Sequence, residues 1–254
     1  MTVLAYHQVD RRRDFAWNMI SPERFAAQGD LLRRRGYSGV TLRDHEEDGG
    51  GKTVGLTFDD ALAGVVRFAL PVLRQLGFRA TLFVPTAWVG CWNEWDTRLG
   101  GRRVRHATWE ELRRVVEAGW EIGSHGHTHR DLTHLPDEEV RRELRRSRDL
   151  ITRETGEDAH SIAYPFGRIS ERVVRIAKET GFRRGCVSVV QPGGGDPFRI
   201  GRIGVRRFDT EREFLSKVEG GALYPWQVWK DRIASFVARG TPVIAHRLRR
   251  VELR

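Results

Sequence analysis

The sequence contains few cysteines and no long apolar run. Two cysteines in 254 residues, Cys91 and Cys186, cannot form a disulfide framework, and they lack the Cys-x-x-Cys spacing of a thiolate metal site. We expect both to be buried thiols. No segment reaches the roughly 18 consecutive apolar residues of a membrane span, and the opening MTVLAYH lacks the features of an export signal. These absences predict a cytoplasmic protein without a transmembrane segment.

Lysine is also scarce, so the positive charge of the chain is carried by arginine. Only four of the 44 basic residues are lysine, and the 34 acidic residues leave a formal net charge of +10. Such a charge is compatible with nucleic-acid binding. However, the arginines are scattered, and over residues 136–153 they alternate with acidic residues as on a solvated helix face. We therefore expect no specific nucleic-acid partner, and nucleic-acid binding stays the weaker alternative.

Short apolar runs alternate with amphipathic segments along the chain, which is typical of parallel βα units. The predicted strands are 3–6, 54–58, 80–84, 120–123, 161–164, 186–190, 203–205 and 243–245. Capping residues and apolar periodicity predict helices over 22–32, 108–118 and 136–153. The pattern predicts a single α/β domain over residues 1–254, either a barrel or a doubly wound sheet, with an arginine-rich tail from about residue 247.

Four of the predicted strands end in residues that are typical of an active site. In chain order these residues are His7, Asp59-Asp60, His125-x-x-x-His129 and Pro165-Phe166-Gly167. Parallel barrels build their active sites at the carboxyl ends of the strands. We therefore expect these residues to share one site.

The histidine pair is more selective evidence than the aspartate pair. Adjacent aspartates after a strand more often cap the next helix, so Asp59-Asp60 alone would say little. Two imidazoles and one carboxylate, by contrast, make a three-ligand metal site with an open position for water. We expect His125 and His129 to be the ligands, with His127 pointing away.

Four strings occur in order along the chain, namely LTFDDALAG, ATLFVPTAWVG, EIGSHGHTHRDLTHLPDEEVRREL and IAYPFG. Together they resemble the NodB-type polysaccharide deacetylases, carbohydrate esterase family 4, over residues 3 to about 205. The resemblance implies a distorted (β/α) barrel of about seven parallel strands. It also implies a metal-dependent hydrolase that removes the acetyl group of an N-acetylated carbohydrate and releases acetate.

The resemblance assigns roles to residues of the aspartate-containing and histidine-containing strings. In the TFDD string it implies that Asp59 is the general base and that Asp60 is a metal ligand, with His125 and His129 as the other two ligands. These three residues would hold one divalent ion. The His₂Asp donor set suits zinc, and cobalt, nickel or iron could fill the same positions.

The IAYPFG string departs from the family pattern. Where such enzymes have Arg-x-Pro-Tyr, this chain has Ala163-Tyr164-Pro165-Phe166, so the arginine that orients the base is missing. The resemblance implies that Pro165 forms part of the groove wall and that the Phe166 N–H binds the oxyanion. We predict that Arg202, just before the strand at 203–205, replaces the missing arginine.

Two histidines compete for the role of general acid, which the resemblance assigns to a Leu-x-x-His string. Leu4-Ala-Tyr-His7 and Val243-Ile-Ala-His246 both fit approximately. The first and last strands of a closed barrel are neighbours, so a permuted string can occupy the same place. Some biofilm-polysaccharide deacetylases resemble this chain in having Tyr-His near the start, and we therefore favour His7 over His246.

Further expectations concern the substrate. Trp88, Trp92 and Trp95 could stack on sugar rings, although tryptophans after a strand are as often core or loop anchors. The positive charge favours an anionic substrate, such as a nucleotide sugar or a lipid-linked sugar phosphate. A sugar-binding module that has the same fold without the reaction is the remaining alternative.

Overall fold

The fold consists of parallel strands joined by helices, in a computed structural model that describes residues 2–11, 18–44, 51–93, 103–188 and 195–220. The described strands are β1 Thr2–Tyr6, β2 Gln8–Val9, β3 Met19–Ile20, β4 Ser38–Val40, β5 Thr53–Phe58, β6 Thr81–Val84, β7 Glu121–Ser124, β8 Ser161–Ala163, β9 Arg184–Val187, β10 Ile200–Gly201 and β11 Ile203–Gly204. The described α-helices are α1 Pro22–Arg34, α2 Leu70–Leu76, α3 Trp109–Glu117, α4 Asp137–Thr155, α5 Glu171–Glu179 and α6 Glu211–Glu219.

Nine of these strands form one parallel sheet that nearly closes into a barrel. Its order is β10-β9-β8-β7-β6-β5-β1-β11, and β4 pairs with the amino-terminal half of β5. The two ends of this path, β10 and β11, are separated in the chain by Arg202 alone. The sheet is thus a NodB-type (β/α) barrel, as the resemblance implies, and β2 and β3 form a separate parallel pair.

Seven of the eight predicted strands have a counterpart within two residues of their predicted start. The eighth, 243–245, lies outside the described residues, and the described neighbours of β1 are β5 and β11. Sequence reasoning missed β4 and β10, which bring the sheet to nine strands rather than about seven. Both are two or three residues long and contain glycine, so they carry no apolar run that could signal a strand.

Two of the predicted helices begin at the capping residues that the sequence indicates. The Ser21 hydroxyl accepts from the Arg24 N–H at the start of α1, and Thr108 and Glu111 form a capping box at the start of α3. In α4, the predicted apolar face of Val140, Leu144 and Ile151 is fully buried. No helix among the described residues is long and apolar enough to cross a membrane.

Side chains alternate between the inside of the barrel and the layer under the helices, because successive strand residues point to opposite faces. Leu4 and Phe58 belong to the large core between the strands and the helices. A smaller cluster comprises Val3, Leu42, Phe83, Ala163 and Cys186. Cys186 is thus buried as predicted, whereas the prediction for Cys91 is wrong: it lies in the segment after β6 and is exposed.

Candidate active site

All three predicted ligands converge at the carboxyl edge of the barrel. Asp60 Oδ1 lies 3.5 Å from His125 Nε2 and 3.7 Å from His129 Nε2. One ligand atom from each residue lies within 4.8 Å of the others, and all three side chains are buried. These separations leave room for an ion between a carboxylate oxygen and two imidazole nitrogens.

The protonation state of the two histidines suits metal binding. Burial lowers the pKa of His125 and holds the pKa of His129 well below the ordinary value, so both rings are neutral near pH 7. His125 Nδ1–H donates to the carbonyl oxygen of Ala163 at 2.7 Å. This bond fixes the tautomer and leaves Nε2 unprotonated, where it faces Asp60 and lies 3.3 Å from His129 Nε2.

Glu143, on α4, braces the loop that carries these histidines. Its carboxylate accepts from the backbone N–H groups of His127 and Thr128, at 2.9 and 2.8 Å, and from the Thr128 hydroxyl at 2.7 Å. The ring of His127 contacts Thr86 Oγ1 at 2.8 Å and does not join the ligand group. The loop is therefore held from α4 while its ligands face the barrel mouth.

Backbone strain is concentrated at this site. Among the described residues, the non-glycine residues with positive φ are Asp60 at 67°, Ala61 at 47°, His129 at 60° and Phe166 at 60°. A non-glycine residue in this region costs free energy and persists only where the surrounding structure holds it. Two of the four are predicted ligands, and Phe166 carries the predicted oxyanion donor.

Asp59 forms a buried ion pair with Arg202, the residue that we predict to replace the missing motif arginine. Arg202, between β10 and β11, donates from Nη1 to Asp59 Oδ1 at 2.6 Å and from Nη2 to Oδ2 at 2.8 Å. Burial alone would raise the pKa of Asp59, but Arg202, with His125 and His7 nearby, holds that pKa well below its usual range. Asp59 is therefore an oriented, ionised carboxylate.

His7, directly after β1, lies on the open side of this carboxylate. Its Nε2 is 3.8 Å from Asp59 Oδ2, and its side chain is 34% exposed, whereas that of Asp59 is 6% exposed. His7 is thus in contact with solvent and with the candidate base at once. Its competitor His246 lies outside the described residues, as does Trp95.

The turn after β8 completes the edge of the site. Pro165 is buried, and the Phe166 ring packs edge-on against the His129 ring with centroids 4.9 Å apart. Arg168 Nη1 donates to Asp131 Oδ2 at 2.6 Å, which ties this turn to the segment after His129. The oxyanion donor predicted at Phe166 is therefore adjacent to a candidate ligand.

Trp88 is attached to the histidine loop. Its Nε1–H donates to the carbonyl oxygen of Thr128 at 3.3 Å, and its ring lies 6.4 Å from the ring of His106. The side chain is half-buried, whereas Trp92 is 45% exposed. These contacts favour an anchoring role for Trp88 over a platform that is freely available to a sugar ring.

Sequence reasoning missed His106. This buried histidine precedes α3, and its Nδ1–H donates to the backbone carbonyl of Asp60 at 2.6 Å. No motif marks it in the sequence, where it follows a polar loop. The one signal was its position two residues before the capping box of α3, which does not distinguish a buried histidine from a surface one.

A family model described as polysaccharide deacetylase matches residues 46–185. The match covers more than half of the chain and includes both aspartates, the two candidate ligand histidines and the turn at Phe166. The chain belongs to the polysaccharide deacetylase family. This membership confirms the resemblance to NodB-type enzymes.

Two curated proteins are similar to most of this polysaccharide deacetylase chain. The Bacillus subtilis protein YxkH is 25% identical over 199 residues, which are 76% of this chain and 65% of YxkH. A poly-beta-1,6-N-acetyl-D-glucosamine N-deacetylase of Staphylococcus aureus is 23% identical over 210 residues, which are 72% of this chain and 70% of that protein. The chain thus spans about two thirds of the length of these relatives.

A solved structure shares the fold. The Streptococcus pyogenes deacetylase PplD, in complex with acetate, superposes with a TM-score of 0.73 at 20% identity. The superposition covers 86% of this chain and 97% of PplD. It supports the barrel architecture that was described above from the sheet order.

Proposed function

We propose that this protein is a metal-dependent carbohydrate N-deacetylase, which hydrolyses the acetamide of an N-acetylated sugar to acetate and a free amine. The observation that carries the proposal is the convergence of Asp60, His125 and His129 beside the ionised Asp59–Arg202 pair. Family membership and the activity for which the S. aureus relative is named support the same reaction.

Asp60, His125 and His129 would hold the ion. Their donor set of two neutral imidazoles and one carboxylate suits zinc, and cobalt, nickel or iron could use the same donors. When bound, such an ion lowers the pKa of a water ligand from about 15.7 toward 7 and polarises a carbonyl group. Zinc is therefore the first ion to test.

The remaining residues would move protons and stabilise charge. Asp59 accepts a proton from the attacking water, and Arg202 keeps its carboxylate ionised and oriented; each carboxylate oxygen retains a lone pair beyond its bond to Arg202. The Phe166 N–H donates to the developing oxyanion. His7 donates a proton to the nitrogen as the C–N bond breaks, which releases acetate and the amino sugar.

The nature of the sugar is a finer part of the proposal. The S. aureus relative is named for a polymer of N-acetylglucosamine, and an N-acetylated polysaccharide or oligosaccharide is the first substrate to test. The net charge of +10 favours an anionic variant, such as a lipid- or nucleotide-linked sugar phosphate. Turnover that is much faster on neutral oligosaccharides would remove that preference. The cytoplasmic location stays a prediction.

Metal content and acetate release together test the function. Elemental analysis after identical purification should find about one divalent ion per wild-type chain and little in the His125→Ala, His129→Ala double variant. The wild type alone should release acetate from N-acetylated oligosaccharides. A His160→Ala variant is the matched control, because His160 directly precedes β8 at the opposite end of the barrel.

The outcomes separate the proposal from its main alternative. If neither the wild type nor the double variant takes up zinc, cobalt or nickel on reconstitution, the chain has the family motifs but binds no metal and cannot catalyse the proposed hydrolysis. The sugar-binding module would then replace the enzyme. If the double variant retains the metal, Asp60, His125 and His129 are not the ligand set.

A further inference from the structure

His106 lies at the centre of a small set of paired segments next to the candidate metal site. The Ala107 N–H donates to the Ala61 carbonyl at 2.7 Å, and the Ala63 N–H donates to the Arg105 carbonyl at 2.9 Å. On the other side, the His106 N–H donates to the Cys91 carbonyl at 2.9 Å. The backbone of His106 is thus fixed between the segment after Asp60 and the segment after Trp88.

The segment after Asp60 needs such support. Asp60 and Ala61 are consecutive non-glycine residues with φ of 67° and 47°, a conformation that L-residues disfavour. The buried imidazole of His106 donates from Nδ1 to the Asp60 carbonyl at 2.6 Å, directly at this turn. The direction of the Asp60 side chain depends on this turn, because φ and ψ of a residue set where its Cβ points.

The same histidine also contacts the second part of the site. The ring of Trp88 lies 6.4 Å from the ring of His106, and Trp88 donates to the Thr128 carbonyl between the two ligand histidines. A chain of contacts therefore runs from the Asp60 backbone through His106 and Trp88 to the histidine loop. Of these contacts, the hydrogen bond from His106 to the Asp60 carbonyl is made directly to a candidate ligand residue.

We infer that His106 is a positioning residue: its Nδ1–H holds the Asp60 turn in the conformation that directs the carboxylate toward His125 and His129. The inference rests on the proposed function, in which Asp60 is a metal ligand. Outer hydrogen-bond partners of metal ligands typically contribute 10- to 100-fold to metal affinity. His106 differs from most of them because it acts on the ligand's backbone rather than on its side chain.

The test measures zinc affinity of the metal-free protein by competition with a chromophoric chelator, which does not depend on catalysis. His106→Leu removes the donor and should weaken zinc binding by about 10- to 100-fold. His106→Asn places an amide N–H at the position of Nδ1 and should recover most of that affinity. His160→Leu, at the other end of the barrel, should bind zinc as the wild type does.

Each result decides the inference. Wild-type zinc affinity in His106→Leu overturns it, and so does equal weakening in His106→Leu and His106→Asn, because ring packing rather than the donor would then be responsible. If the leucine variant does not fold, His106→Phe, which retains a flat ring without a donor, repeats the comparison with asparagine. If the wild type itself binds no metal, the proposed function fails and the inference falls with it.

Discussion

The two ends of the barrel both contain buried carboxylates, but they satisfy them differently. At the amino end, the carboxylate of Glu121 accepts from the Ser161 hydroxyl at 2.5 Å, and from the Thr81 hydroxyl and the Arg43 N–H at 2.9 Å. At the carboxyl end, Asp60 lies 3.5 to 3.7 Å from two imidazole nitrogens, and Asp59 has one side toward His7 and solvent. The carboxylate at the amino end is enclosed by hydroxyl and backbone donors, whereas the carboxylates at the carboxyl end face two neutral imidazoles and the partly exposed His7.

The backbone shows the same difference. The four left-handed non-glycine residues in the described part of the chain belong to loops at the carboxyl end. A closed polar network stabilises a fold because none of its groups loses a partner on burial. A polar cluster that faces solvent and includes strained backbone costs stability, and it is retained where a ligand or a reaction uses it. The comparison predicts that substitutions at the carboxyl end impair the reaction, whatever they also cost in stability, and that those at the amino end impair stability alone.

Asp59→Asn should have the largest effect. We expect turnover to fall by about 100- to 10,000-fold, the usual contribution of a general base, while the metal stays bound. The substitution also leaves the buried Arg202 without its counter-charge, which should lower the free energy of unfolding by about 3–5 kcal/mol. Acetate release, metal content and denaturant unfolding measure the three quantities.

A double variant separates these two consequences of Asp59→Asn. Combining it with Arg202→Met removes both members of the buried ion pair, so stability should largely return while turnover stays low. A near-normal rate in Asp59→Asn would contradict the assignment of the base. Recovery of turnover together with stability would show that Asp59 has a structural role only.

His7→Ala should reduce kcat by about 100-fold or more, because the leaving amine would lose its proton donor. His7 is suited to this role since it is partly exposed and lies 3.8 Å from Asp59. His246→Ala is the matched variant and should retain the wild-type rate. Rapid turnover in His7→Ala, with a loss in His246→Ala, would transfer the role of general acid to His246.

Glu121→Gln tests the other end of the barrel. The amide NH₂ group replaces one of the two acceptor oxygens of Glu121, so at least one buried donor loses its partner. The free energy of unfolding should therefore fall by about 1–3 kcal/mol. The kcat and metal content per folded molecule should not change. A kcat lowered as much as in His7→Ala would break the comparison, because the two ends of the barrel would then be coupled.

The residues that sequence reasoning could find at the carboxyl end are those in local motifs. Asp60, His125 and His129 each follow a recognisable strand, so parallel pairing alone brings them together. Arg202 could be only a guess among 40 arginines, since its contact with Asp59 spans 143 residues. His106 was missed because its proposed positioning role depends on the conformation of the Asp60 turn, which no residue type in the sequence indicates.

The contacts at the amino end of the barrel were harder still to predict from the sequence. Glu121 follows Trp120 in an apolar run, and nothing in the sequence indicates that Thr81 and Ser161 would face it from neighbouring strands. Leu42 joins the interior cluster from a loop with no apolar period. Side chains that meet across strands are set by register, which periodicity along one strand cannot give.

Trp88→Phe should have the smallest effect and sharpens the comparison within the carboxyl end. It retains an aromatic ring but removes the Nε1–H bond to Thr128, worth about 0.5–1.5 kcal/mol. If Trp88 is an anchor, as its contacts favour, zinc affinity should fall slightly and KM for an N-acetylated oligosaccharide should stay constant. If it is a sugar platform, Trp88→Ala should raise KM while zinc affinity stays as in the phenylalanine variant. Measuring both quantities on both variants therefore decides whether this aromatic residue supports the ligands or the substrate.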